Sequence, residues 1–212
     1  MPSNNIENVD IVVIGAGFSG LYAIHRLRDH NVVCLESGDG VGGTWYWNRY
    51  PGARVDIESV EYSYGFDEDL QQEWSWPEYF SAQPDLERYA NHVADRFNLR
   101  EKIRFSNPVK SMRFDDQANR WHVYTEKGDH FTCRYVIAAT GSLTAPNLPP
   151  WPGRDDFHGE IYHTARWPED GIDFTGKRVG FIGTGSTGIQ ALPIIAEQAE
   201  HLHVFQRTPA FC

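Results

Sequence analysis

Apolar and polar positions alternate in recognisable blocks along the chain. Residues 9–14 are apolar apart from Asp10, as in a strand buried on both faces of a parallel sheet. A glycine-rich turn follows, Gly15-Ala16-Gly17-Phe18-Ser19-Gly20. Leu21, Ile24 and Leu27 then recur at helical spacing, and residues 32–35 are a second apolar strand ending at Glu36. This predicts one βαβ unit with short connections. Residues 37–56 carry Gly, Trp, Tyr and Arg without periodicity and are expected as loop. Leu86, Tyr89, Ala90, Val93 and Phe97 line one face of a predicted helix over 84–98, with Pro84 in its first turn.

Beyond that helix the period changes to two. Residues 109–114, 121–125 and 131–133 are strand-like and separated by polar turns at 115–119 and 127–129. They predict an antiparallel meander at about 109–133. Residues 135–140 are apolar again and closed by Gly141, as expected of a strand returning to the parallel sheet. Pro146, Pro149, Pro150 and Pro152 make an extended connection that cannot pair as a central strand. After it come a strand at 178–182, a second turn Gly183-Thr184-Gly185-Ser186-Thr187-Gly188, a helix over 189–199 and a strand at 201–206. Pro193 should kink that helix or lie close to its start. Residues 11–20 and 179–188 are two copies of one design. The expected fold is α/β: two dinucleotide-binding Rossmann-like domains, the second incomplete, with the β-meander inserted in the first. Along the chain the division is 1–145, a linker at 146–176, and 177–212.

Composition narrows the partners. The 212 residues carry a net charge of −10, which disfavours nucleic acid and anionic membrane surfaces and suits plain solubility. The first eight residues lack a signal-peptide profile, and no apolar run approaches membrane-spanning length. Cys34, Cys133 and Cys212 are odd in number and far apart, matching neither a disulfide framework nor a zinc pattern. Cys34 reads as a small core hydrophobe, and a reducing cytoplasm fits.

The two glycine turns differ in chemistry. In the first, Gly15 permits the turn, Gly17 lets backbone approach a pyrophosphate, and Gly20 lets helix and strand pack. The helix N-terminus offers N–H groups and a positive dipole end. Glu36 can accept hydrogen bonds from both ribose hydroxyls, so this nucleotide has free hydroxyls. In the second, Gly183, Gly185 and Gly188 repeat the spacing, but residues 204–206 hold no acid, and Arg207 and Thr208 follow. An arginine there suits a 2′-phosphate, which indicates NADP(H). The alternative for Arg207 is an ordinary solvated charge.

Between the turns lies Phe157, Gly159, His163, Trp167 and Pro168, spaced F-x-G-x-x-x-H-x-x-x-W-P. On this segment the chain resembles the Baeyer–Villiger monooxygenases over nearly its whole length, though over less than half of a usual member. Gly42-Gly43-Thr44-Trp45 and the stretch through Trp47 to Gly52 resemble the loop that covers the flavin in that family. The resemblance further implies that Asp56 lies beside the flavin and partners a catalytic arginine. It places Tyr62 and Val109 at the flavin. It assigns Arg54, Val55, Asp56, the turn from Thr184 through Ser186, Thr187 and Gly188 to Gln190, and Arg207-Thr208 to the nicotinamide nucleotide. Ala139-Thr140-Gly141 resembles the motif where the chain crosses between nucleotide domains.

The implied cofactors are FAD and NADP(H). The implied activity is reduction of FAD by NADPH, capture of O2 as a peroxyflavin, and insertion of one oxygen next to a ketone carbonyl to give an ester or lactone. In the family the catalytic arginine lies beyond the end of this chain, and neither Arg49 nor Arg54 matches it. The expectation is therefore an N-terminal fragment, exposing apolar side chains such as Val204 and Phe205. Two other readings remain: an N- or S-oxidising flavin monooxygenase, and a nucleotide-binding fragment without turnover. Several residues also have structural readings. Trp45, Trp47 and Trp74 suit core or interface packing. His163 and Trp167 suit a structural role in the connector. Asp56 suits an N-cap for a turn beginning at Ile57.

Overall fold

The computed structural model describes residues 6–143 and 145–209. Its strands are β1 (Ile6–Asn8), β2 (Ile11–Ile14), β3 (Val32–Leu35), β4 (Ile103–Arg104), β5 (Val109–Asp115), β6 (Arg120–Thr125), β7 (His130–Cys133), β8 (Tyr135–Ala138), β9 (Arg178–Ile182) and β10 (His201–Phe205). Its helices are α1 (Phe18–Arg26), α2 (Thr44–Trp47), α3 (Glu68–Glu73), α4 (Gln83–Arg96) and α5 (Ser186–Gln198). No described helix is long and apolar enough to cross a membrane. The chain forms two compact units. One holds residues 1–46 and 86–144, the other 47–85 and 145–212.

The first unit contains two sheets. One is parallel, in the order β4-β3-β2-β8; the other runs β1-β7-β6-β5. The apolar run at 9–14 is not one strand, as its pattern predicts, but the end of a crossing. β1 pairs parallel with β7, Ile6 facing His130, and β2 pairs parallel with β8, Ile11 facing Tyr135. The register is the same on both sides of the break. Two stretches of chain therefore run side by side from one sheet into the other. Asp10 marks the crossing: its carbonyl accepts the N–H groups of Arg134 (3.0 Å) and Tyr135 (3.2 Å), and its own N–H turns to the Asn31 carbonyl (2.9 Å). The expected three-stranded meander thus gains β1 as a fourth, parallel strand.

Side-chain alternation assigns the faces of the parallel sheet. Val12, Val33 and Leu35 pack against Val123, Phe131 and Cys133 of the other sheet, with Val9 closing the cluster. Val13 and Cys34, one residue along, point to the opposite face, and both are fully buried. α1 contacts β2 and β3 and buries Leu21 and Ile24. Burial pushes the Cys34 thiol far up, with the Glu36 charge adding to it, so Cys34 packs as an unreactive hydrophobe. Leu86, Tyr89, Ala90 and Val93 of α4 are buried as the helical pattern requires. Cys34 and Cys133 are free thiols; Cys212 lies outside the described residues.

The second unit has a two-stranded parallel sheet of β9 and β10, with Phe205 facing Ile182. Its core is Phe174, Ala191 and Ile195, joined by Tyr50, Trp167, Val179, Phe181 and Leu202. Here α5 begins at Ser186, earlier than the apolar pattern suggests. Pro193 lies well inside it, where its missing N–H leaves the Ile189 carbonyl without the usual helical partner. Within 47–85, residues 53–59 are held against 78–83. The Val55 N–H donates to the Ser81 carbonyl (3.1 Å), Ser59 to Tyr79 (2.8 Å) and Gln83 to Ala53 (2.8 Å). The buried Ser59 hydroxyl adds contacts to Glu78 O (2.8 Å) and Ser81 Oγ (2.9 Å).

Candidate functional site: two nucleotide turns

The first turn is built by contacts that exclude side chains. Gly15 has φ +99°, and its N–H donates to the Leu35 carbonyl (2.8 Å), binding the turn to the end of β3. A Cβ on Gly20 would lie 1.8 Å from the Gly15 carbonyl oxygen, so only glycine lets α1 start this close to β2. Gly17 caps α1 without a side chain, and the first helical bond runs from the Leu21 N–H to Gly17 O (2.9 Å). The amides at 18–20 therefore belong to the open end of the helix. Gly43 backs onto this turn: a Cβ there would sit 2.8 Å from Gly17 Cα. The Gly42 N–H donates to Ala16 O (3.1 Å), and α2 carries Thr44, Trp45 and Trp47, all half-buried, in what the pattern reads as plain loop.

Glu36 is more than an acid at a strand end. It is buried, and its carboxylate accepts the N–H groups of Ala16 (2.6 Å) and Gly38 (2.7 Å) and the Ser37 hydroxyl (3.1 Å). Three of its four lone-pair positions are used, which leaves one on the Ala16 side. Val109 sits at the start of β5 beside the core of this unit.

The second turn repeats the geometry in register. The Gly183 N–H donates to Phe205 O (2.8 Å), as Gly15 does to Leu35, and a Cβ on Gly188 would lie 2.6 Å from Gly183 O. The residue in the place of Glu36 is thus Gln206, the last of the residues 204–206 among which the sequence places that position. Its Oε1 accepts the Thr184 hydroxyl (3.3 Å), so a neutral amide takes the tie to the turn that Glu36 makes with charge. Arg207 and Thr208 follow, both exposed. A Cβ on Gly183 or Gly185 would meet nothing within 4 Å.

In the same unit, the segment 50–56 lies on this turn. Gln190, in the first turns of α5, donates from Nε2 to the Arg54 carbonyl (3.0 Å) and accepts at Oε1 from the Arg54 N–H (3.3 Å) and the Tyr50 hydroxyl (2.8 Å). A Cβ on Gly52 would collide with the Gln190 carbonyl at 2.4 Å. Arg54 is thereby held against Gln190, with Val55 and Asp56 next along the chain. Val55 is buried, and Arg54 and Asp56 are exposed. Burial first, and then the Asp56 charge, raise the pKa of Tyr50 and of Tyr62; a hydrogen bond with Thr187 works the other way on Tyr50. Asp56 is not an N-cap. The 3-10 turn it precedes spans Ser59–Tyr62, is capped at Glu58, and has no side-chain cap bond. Tyr50, which the sequence pattern places in loop, joins this hydrogen-bonded cluster.

The spaced segment at 157–168 is occupied with local structure. The Phe157 ring lies over Gly159, whose Cβ would be 2.6 Å from it. His163 caps the 3-10 turn Thr164–Arg166, its Nδ1 accepting the Ala165 N–H (3.1 Å). Trp167 packs beside Phe174 and Tyr162, and the Pro168 carbonyl accepts the Gly171 N–H (3.1 Å). Arg166 stacks over the Trp47 ring (4.5 Å), and Trp74 meets Trp76 edge-on.

Two parallel strand-turn-helix units, each tied back to its turn by the residue after the second strand, define a dinucleotide-binding protein of the Rossmann type. The chain belongs to the flavin-binding monooxygenase-like family, whose model matches residues 8–211. It is 48% identical over 205 residues to acetone monooxygenase (methyl acetate-forming) of Gordonia sp. (strain TY-5), covering 96% of this chain and 38% of that one. It is 43% identical to phenazine N-monooxygenase PhzNO1 of Lysobacter antibioticus, over all of this chain and 40% of that one. The crystal structure of cyclohexanone monooxygenase from Rhodococcus sp. Phi1 bound to NADP+ superposes with a TM-score of 0.93 at 49% identity, over 97% of this chain and 39% of that chain. The chain therefore spans about two-fifths of the length of these relatives.

Proposed function

We propose that this chain is the nucleotide-binding part of an FAD- and NADPH-dependent Baeyer–Villiger monooxygenase, which inserts one atom of O2 beside a ketone carbonyl to give an ester or lactone. The observation that carries it is the pairing of two turns of one geometry but opposite charge logic: buried Glu36 after the first, Gln206-Arg207 after the second. The unbroken segment Phe157 to Pro168 and the ketone-oxidising relatives support the choice within the family. Phenazine N-monooxygenase, at similar identity, supports N-oxidation as the second reading. The buried thiols Cys34 and Cys133 suit a reducing cytoplasm.

The residues fit both groups. At the first turn, the side-chain-free cap Gly17 and the α1 amides suit a pyrophosphate, and the remaining lone-pair position of Glu36 suits a ribose hydroxyl. At the second, the open space over Gly183 and Gly185 suits a phosphate, and Arg207 a 2′-phosphate. FAD, when bound, supplies hydride acceptance and oxygen activation. Asp56 holds a negative charge close to Tyr50 and Tyr62 and, in this reading, orients a cationic partner at the reacting centre. His163 and Trp167 shape the connector rather than touch substrate.

The test is NADPH oxidation that rises with added ketone and yields an ester. N-oxide as the main product, with ketones ignored, would select the second reading. Arg207→Ala is expected to raise KM for NADPH about ten- to a hundred-fold, the loss of a charge-assisted contact, and to leave NADH nearly unchanged. Equal losses would reject Arg207 as the 2′-phosphate contact.

A further inference from the structure

The geometry points to Tyr50 as a positioning residue that sets the nicotinamide-nucleotide site through the Gln190 amide. This rests on the reading of the second turn as that site.

The orientation of the Gln190 amide is settled by its partners. The Arg54 carbonyl can only accept, so it faces Nε2 (3.0 Å); the Arg54 N–H can only donate, so it faces Oε1 (3.3 Å). The Tyr50 hydroxyl donates its single proton to Oε1 at 2.8 Å, the shortest of the three contacts, and fills the second lone pair there. Its phenol oxygen then has only acceptor capacity left. Thr187 is a hydrogen-bond partner of Tyr50, and with the phenol proton given to Gln190 the phenol oxygen can only accept from the Thr187 hydroxyl. A directed chain results, from the Thr187 hydroxyl to Tyr50 to Gln190 to the Arg54 backbone. Its first member lies in the second glycine turn. Its last is two residues from Asp56. Tyr50 is also packed against the core of this unit, and burial raises its pKa, so it remains a donor across the working pH range.

Removing the hydroxyl takes the stronger of two donors from Oε1 and the acceptor from Thr187. Gln190 then keeps its two bonds to Arg54 but loses the link through Tyr50 that ties them to Thr187 in the turn. Tyr50→Phe keeps the ring and its packing while deleting only this link.

The experiment has two arms. In the first, NADP+ affinity is measured by direct titration for the wild type, Tyr50→Phe, Gln190→Ala and the double variant. Tyr50→Phe is expected to weaken binding about three- to ten-fold and to raise KM for NADPH with kcat at saturation little changed. In the Gln190→Ala background the same change should have no further effect, because Tyr50 acts through that amide. Additive losses, or none from Tyr50→Phe alone, overturn the proposal. In the second arm, amide hydrogen exchange is followed at Arg54 without nucleotide. Faster exchange in Tyr50→Phe at an unchanged melting temperature is expected, and equal rates overturn the link. If the wild type binds no NADP+, the parent reading of the second turn fails, while the second arm still decides whether Tyr50 holds the segment.

Discussion

Glycine does two kinds of work in these turns, and substitution separates them. At Gly20 an added Cβ would stand 1.8 Å from the Gly15 carbonyl oxygen. Gly20→Ala must therefore push α1 off the sheet, and it should lower stability by about 3 kcal/mol or more, read from denaturant unfolding. At Gly185 the added atom meets nothing within 4 Å, and the backbone there has φ −74°, which any residue adopts. Gly185→Ala should leave unfolding unchanged within about 0.5 kcal/mol, yet cut NADP(H) affinity by filling the space over the turn. Loss of stability in Gly185→Ala would show that this glycine is structural as well. On the proposed function, Asp56→Ala should lower ester formation by the full-length enzyme about ten-fold or more, with flavin content and melting temperature retained, because the carboxylate is exposed and makes no cap bond. Lost flavin would assign Asp56 to binding instead.

Among the elements, the outer face of the β5-β6-β7 sheet carries a pH-sensitive pair. His122 Nδ1 and His130 Nε2 are 2.9 Å apart, so one ring must stay neutral to accept. Tyr124 stacks on His130 at 4.4 Å, and Asp115 lies 3.9 Å from the far nitrogen of His122. Arg113 faces His122 across the β5-β6 ladder, and Ile6 of β1 faces His130 from the other side. Burial and the His122 charge lower the His130 pKa. A histidine whose folded pKa lies below its unfolded value of about 6.5 stabilises the fold above that pH. The contribution is lost as pH falls through the folded pKa. Unfolding free energy should therefore decline below about pH 6.5, and His130→Asn should flatten that slope. An unchanged slope would mean that other groups govern acid sensitivity.

At the scale of the whole molecule, apolar side chains are not all covered. On β9 and β10, Ile182 is 60% exposed, Phe205 58% and Val204 44%. The sequence predicts such surface at Val204 and Phe205. Ile182 and Phe205 are cross-strand neighbours and form one patch. Replacing both with Ser should reduce self-association in light scattering without lowering the melting temperature, since little burial is lost. Undiminished association would place the sticky surface elsewhere, for example at Tyr79 (64% exposed) and Val60 (60% exposed).

Much of this protein is legible in one dimension because its signals are local. Glycine spacing, the period-two strands 109–133 and the helical face Leu86 to Val93 follow from backbone sterics and side-chain period and stand at their predicted places, whereas the apolar run at 9–14 becomes a strand only from Ile11 and α5 begins at Ser186, ahead of its apolar pattern. The two glycine turns and the segment Phe157 to Pro168 carry the family in the same local way. What the chain order hides are contacts between distant residues. The crossing at Asp10 depends on Arg134 and Tyr135. The part of Gln206 as counterpart of Glu36 depends on the register of β10 against β9. The tie from Tyr50 to Gln190 joins residues 140 apart, and residues 47–85 group with 145–212 across the intervening 86–144. Periodicity reports which face of an element is apolar; only the folded chain decides what that face meets.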